Sequence, residues 1–224
     1  METTRLFVQQ YWRYLVDFST FALCAVLIGV YQVRLSRRIR RNPMHTVQGM
    51  NAQARVAWVE RMVAENRDIT AVQTFRNSMM AASFMATTAV LLIFGILNLL
   101  ANADKLGVAF HGLNSWGSQE PGMTVFKLML IVVSFFVAFF AFALAVRGYH
   151  HAGYLINVPA NGKHGVALQK TVQVLNRASL YYMAGMRAYY FTVPLVLWMF
   201  GPVWLFVGTV ALLLVLHYLD HLPD

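Results

Sequence analysis

The chain has 224 residues, 58% of them apolar and 12% charged, whereas soluble domains carry about 25% charged residues. That balance excludes an ordinary soluble globule. The single cysteine, Cys24, excludes an internal disulfide, and the net charge of +9 has to be read from its distribution.

Four apolar stretches, at about 14–33, 77–101, 125–146 and 188–217, match or exceed the roughly 20 helical residues needed to cross a hydrocarbon core. They predict one all-α integral membrane domain over 1–224. It has four transmembrane helices, two amphipathic cytoplasmic helices, cytoplasmic segments at 34–76 and 147–187, and an outer loop at 102–124.

The first span opens among Tyr11, Trp12 and Tyr14, an aromatic interface belt. It is long, lacks a small-residue cleavage site and leads into a basic loop, so it reads as a retained span and not a cleaved leader. Asp17, about one turn in, is the ionisable group of the spans, and an intramembrane charge suggests function by default. A structural pairing with Arg13 at i−4, or a place at a helix N-terminus, is the expectation here. The run Arg37-Arg38-Ile39-Arg40-Arg41 stops the span, and Asn42-Pro43 breaks the helix.

Residues 49–66 read as a helix with Ala52, Val56, Val59 and Val63 on one face. Thr70-x-x-Gln73 matches a capping box that would start the second span. A helix from 71 to 101 would be about 46 Å long against a core of about 30 Å, so Gln73, Arg76 and Asn77 should project into the cytoplasm. The third span offers a small-residue stripe, Ala138, Ala141 and Ala145, for close helix approach. Residues 166–182 read as a second amphipathic helix running into the fourth span, in which Pro194 and Gly201-Pro202 predict a kink or break, and which is longer than one straight crossing.

Residues 34–76 hold nine arginines against Glu60, Glu65 and Asp68, and residues 147–187 hold five basic residues and no acid. The loop 102–124 holds Lys105 as its only lysine or arginine. Short basic loops stay cytoplasmic, which places the chain in an inner membrane as a multi-pass protein with both termini outside. The charge thus reads as topology and as attraction for anionic lipid, not as a nucleic-acid surface.

Three constellations carry candidate chemistry. Asn51, Arg55 and Trp58 share one helical face, and Arg76-Asn77, Tyr149-His150, Asn157, Asn176, Tyr181, Tyr182, Arg187, Tyr189 and Tyr190 sit at span ends on the same side. If the bundle closes, Arg55, Arg76, Asn77, His150, Asn157, Arg187 and Tyr189 form a polar mouth whose arginines can grip phosphate or carboxylate. The competing structural role is a hydrogen-bond network that locks the cytoplasmic helices to the bundle. At the other end, His217, Asp220 and His221 have a spacing that suits Zn or Cu, with His111 in the outer loop as a further ligand. Such residues also simply mark the water boundary. The third is Asp17. No nucleotide, hydrolase or metalloprotease motif is present, so intrinsic catalysis and a resident cofactor are not expected.

The run Ala71-Val72-Gln73-Thr74-Phe75-Arg76-Asn77 resembles the membrane family catalogued as domain of unknown function 599. So do Tyr149-His150-His151-Ala152-Gly153-Tyr154-Leu155-Ile156-Asn157, Arg187-Ala188-Tyr189-Tyr190-Phe191-Thr192-Val193-Pro194 and Leu197-Trp198-Met199-Phe200-Gly201-Pro202. The resemblance implies a compact four-span protein of bacterial and plant membranes and supplies no catalytic residue. The expectation is therefore a non-enzymatic, self-associating bacterial inner-membrane protein that binds anions or anionic lipid at its mouth, a channel being one form of this. The alternatives are an accessory subunit of a larger membrane complex and a metal-binding protein using the His/Asp tail.

Overall fold

The computed structural model describes residues 2–101, 116–118, 120–158 and 168–220, with side chains described from residue 11. The described residues are helical, without strands. Helix α1 (Glu2–Arg41) is followed by a 3-10 turn (Pro43–His45), α2 (Val47–Ala64), α3 (Asp68–Leu100), α4 (Pro121–Leu155), α5 (Leu168–Leu197), a second 3-10 turn (Trp198–Phe200) and α6 (Pro202–Asp220). Four of them, α1, α3, α4 and α6, are long and apolar enough to cross a membrane.

Local chemistry explains the breaks. Pro43 cannot continue α1, and Thr46 starts α2 by accepting from the Gly49 N–H at 3.2 Å. Gly49 is required there, because a Cβ would lie 2.1 Å from the Pro43 carbonyl oxygen. Between α2 and α3, Asn66 adopts φ 50°, and the Arg67 N–H closes on the Met62 carbonyl at 2.9 Å. Helix α3 therefore starts at Asp68, whose carboxylate favours a helix N-terminus, and the expected capping box is not formed. Thr70 already lies in the first turn, and its carbonyl accepts from the Thr74 hydroxyl at 2.9 Å.

Helices α4 and α5 form a long antiparallel pair. A Cβ on Gly148 would lie 2.7 Å from Ala178 Cβ, and one on Gly185 would lie 2.8 Å from the Phe142 ring. At the far end of the pair, Lys127 Nζ reaches the Trp198 carbonyl. Helix α3 packs on α4, and Ala138 and Ala145 of the expected alanine stripe are fully buried in one core cluster with Ala82 and Ala86 of α3. Small side chains let these backbones approach where no water-driven force brings them together.

The fourth predicted span departs from expectation. Pro194 stays inside α5, but Gly201 takes φ 126° and ψ 166°, open in practice only to glycine, and Pro202 then begins α6. Gly208 of α6 lies against Pro194 and Leu197, and Asp220 meets Arg187, so α6 runs back along α5. The Gly-Pro pair makes a hairpin, not a kink. The 188–217 stretch is two antiparallel segments, and among the described residues five helices, α1, α3, α4, α5 and α6, run along the bundle. Helix α1 lies beside α6, with Cys24, Leu205 and Trp198 in one cluster. The two ends of the described chain consequently lie at opposite ends of the bundle, correcting the expectation that both termini share one side. Asp220 sits at the level of Tyr31, near the arginine-rich end of α1.

Candidate functional site

At the arginine-rich end, α2 lies across the bundle and borders an open cleft of about 420 Å³ with α3, α4 and α5. Helix α2 is held down by Val59, fully buried, and by Trp58, whose ring meets Phe75 edge-on at 5.6 Å. Phase then sets what faces inward. Arg55 sits one turn from Trp58, so anchoring the tryptophan brings the guanidinium to the cleft.

Arg55 Nε donates to Asn176 Oδ1 at 2.7 Å, which fixes the plane of the fork. No carboxylate among the described residues pairs with it, and no acid among them lines the cleft. Burial pushes its pKa below the ordinary arginine value, an effect that the neighbouring Tyr149 partly offsets. Because a guanidinium does not give up its proton, that burial acts as a pull for an outside anion. Around it stand hydroxyls from three helices: Thr74 and Ser78, each donating to its own helix, and Tyr149 with Ser179 at 3.4 Å. Trp58, Phe75 and Leu175 supply apolar surface. An anionic group with an apolar body fits this combination.

The expected mouth residues separate into distinct places. Arg55 is in the cleft. Arg76 and Asn77 are exposed, since Phe75 turns inward and they point away from it. His150 is exposed and rests edge-on against Tyr154, and Asn157 donates to its own helix at Gly153 O. Arg187 lies further along α5 with both carboxylate oxygens of Asp220 at 3.0 Å and Gln32 as a second acceptor. Tyr31 donates to the same carboxylate at 2.7 Å. Tyr189 donates to the Met85 carbonyl at 2.8 Å and tethers α5 to α3. The structure thus brings Arg55 together with Asn51, Trp58, Tyr149 and Asn176, legible as polar or aromatic residues on one face of the first cytoplasmic helix or near span ends. Thr74, Ser78 and Ser179 were missed. Their one signal was a helical spacing shared with Phe75 and Leu175.

Asp17 is fully buried, and its partner is Lys127, not Arg13. Lys127 Nζ lies 3.2 Å from Asp17 Oδ1, which also accepts from Trp198 Nε1 at 2.6 Å, and the Ser118 N–H donates to Oδ2. The Phe21 and Trp198 rings stack at 5.0 Å beside the pair. This knot ties α1, α4 and the α5–α6 turn together, a structural role.

Of the tail, His217 is exposed near Tyr31, Arg34 and Arg38, and Asp220 is engaged by Arg187 and Tyr31. Both therefore sit at the arginine-rich end, not opposite to it. His221 and His111 lie outside the described residues. Among the described residues no group of three His, Cys, Asp or Glu is placed to hold a metal.

A family model described as "Protein of unknown function, DUF599" matches residues 19–223. No curated protein and no solved structure matches the chain.

Proposed function

We propose a function for a chain that belongs to the family of unknown function DUF599: a non-enzymatic, multi-spanning membrane protein that binds an anionic group in the Arg55 cleft. One observation carries the reading. Arg55 is a half-buried, pre-oriented guanidinium with no carboxylate partner among the described residues, in a cleft that also offers hydroxyls and aromatic surface. The ligand class is a phosphate or carboxylate, free or as a headgroup. In this reading the arginine-rich end faces the cytoplasm of a bacterial inner membrane, since basic segments are retained there.

The test uses protein in phosphatidylcholine nanodiscs, titrated with inorganic phosphate, glycerol phosphate and short-chain carboxylates, with binding read by calorimetry and thermal shift. One of these should bind wild type and lose roughly 10- to 100-fold in affinity in Arg55→Ala, the range for a charge-assisted hydrogen bond. Asn176→Ala should lose less, because it frees the fork without removing it. Equal binding by wild type and Arg55→Ala rejects the proposal.

A second reading, a subunit of a larger assembly, rests on α1. Only 11% of its membrane-length window is buried, against 28% or more in the other three candidate spans. Native mass measurement after gentle solubilisation separates the outcomes: foreign chains in fixed ratio support it, copies of this chain support self-association, and a lone chain rejects both.

A further inference from the structure

On the other flank of the α4–α5 pair lies a second cleft of about 330 Å³ that shares no lining residue with the Arg55 site. Its floor is the close contact of Gly148 with Ala178, where a Cβ on the glycine would sit 2.7 Å from the alanine methyl. Arg147 and His151 of α4 form one wall, and Arg177 with Tyr181 forms the other. Arg177 is held in place: its Nε donates to the Tyr181 hydroxyl at 3.0 Å, and its guanidinium lies 5.7 Å from the ring centre. No acid among the described residues lines this cleft.

The α4 wall continues a stripe. Val133, Val137, Phe140 and Leu144 recur at helical spacing, and all four are exposed. The same 4-3-4 rhythm then runs through Arg147 and His151, switching from apolar to basic within one turn. From Val133 to Leu144 the stripe is about 16 Å long, close to one leaflet of a hydrocarbon core about 30 Å thick. Basic residues that merely mark the membrane boundary need neither a matching wall on a second helix nor an apolar track of leaflet length.

We propose that this cleft is a binding site for one anionic phospholipid. Its phosphate is gripped between Arg147 and Arg177, with His151 beside it, and one acyl chain lies along Val133–Leu144. Two arginine forks suit a phosphate diester, and the apolar track distinguishes a lipid from a free ion. The site stands independently of the Arg55 cleft.

The test is native mass spectrometry of protein taken from vesicles of equal phosphatidylglycerol and phosphatidylcholine. Wild type should retain phosphatidylglycerol selectively. Arg147→Gln/Arg177→Gln should reduce that retention by about 25-fold, at about fivefold per basic residue. The control pair Arg37→Gln/Arg40→Gln removes the same charge from exposed positions of α1 and should retain it. Equal loss in both pairs, or loss in neither, overturns the proposal. So does a site pair that loses inorganic phosphate binding while keeping lipid. Wild type alone supplies an arm free of folding effects. Phosphatidylglycerol carrying a photoreactive acyl chain should label α4 between Val133 and Leu144, and labelling confined to other helices overturns the assignment.

Discussion

Replacing Lys127 by methionine keeps the length of the side chain and leaves the Asp17 carboxylate buried without its countercharge. The two side chains are 3% and 0% exposed, so solvent cannot substitute for the lost ammonium. Removing one member of a buried pair costs about 3–5 kcal/mol. Asp17 keeps two donors, the Ser118 N–H and the Trp198 indole, which puts the expectation near the lower end, about 3 kcal/mol. For a chain of this size that is a fall of about 6–12 °C in Tm. The double variant Asp17→Asn/Lys127→Met buries no charge. Its amide still accepts from one donor while turning an N–H group towards the other, a cost of about 1–2 kcal/mol. The double variant should therefore be more stable than Lys127→Met alone. Thermal unfolding in mild detergent, followed by tryptophan fluorescence, reads the difference. If Lys127→Met lies within about 1 kcal/mol of wild type, or the double variant is the less stable of the two, the lysine is not the countercharge that holds this end of the bundle.

Gly201→Ala should destabilise by about 1–3 kcal/mol, because φ 126° with ψ 166° is closed to a residue with a Cβ; a chemical unfolding midpoint equal to wild type would deny the hairpin conformation. Gly148→Ala should cost about 1–3 kcal/mol by forcing α4 from α5, whereas Gly29→Ala, with nothing within 4 Å of its Cβ, should be neutral or gain up to about 1 kcal/mol of helix propensity. Comparison of the two melting curves checks both, and the reverse order would show that the helices do not touch at Gly148. In a Cys24→Ser background, Ser36→Cys and Tyr218→Cys should react with an impermeant thiol reagent from the same side of sealed vesicles, and Trp116→Cys from the other. Labelling of Tyr218→Cys together with Trp116→Cys would mean that α6 does not run back along α5.

The apolar spans were legible because a membrane-length run has few alternatives, and the break at Asn42-Pro43 because proline cannot continue a helix. The hairpin was not, because Gly-Pro inside a long apolar stretch is compatible with either a kink or a reversal. Two facts decide between them in the folded chain. Residues 202–220 alone make a helix of about 28 Å, nearly a full crossing. The partner segment is α5, whose first half carries Gln169, Lys170, Asn176 and Arg177 and so reads as a surface helix although its second half runs to the far end of the bundle. The capping box failed for a different reason. Its residue pattern was present, but the preceding turn through Asn66 closes at Arg67, three residues before Thr70, and starts the helix first.

The arginines show why spacing found some of the site and not the rest. Arg55 and Arg187 have the same chemistry and were placed in one mouth, yet each one's role depends on where the few acids fall. Asp17 is taken up by Lys127, and Asp220 by Arg187. Glu65 is taken up by its neighbours Arg61 and Arg67, and Arg55, Arg147 and Arg177 are among the arginines without a carboxylate partner among the described residues, at the end where sequence already concentrates positive charge. That Arg187 and not Arg55 meets Asp220 depends on α6 turning back, which no local spacing encodes. Arg187→Ala accordingly tests structure and Arg55→Ala tests binding. Loss of the Asp220 fork leaves a part-buried carboxylate with Tyr31 as its remaining donor, a cost of about 1–3 kcal/mol, while anion affinity at the cleft stays unchanged. Calorimetry on the two variants separates them. An Arg187→Ala variant that keeps its melting point but loses anion binding would move the site from the Arg55 cleft to the α5–α6 hairpin.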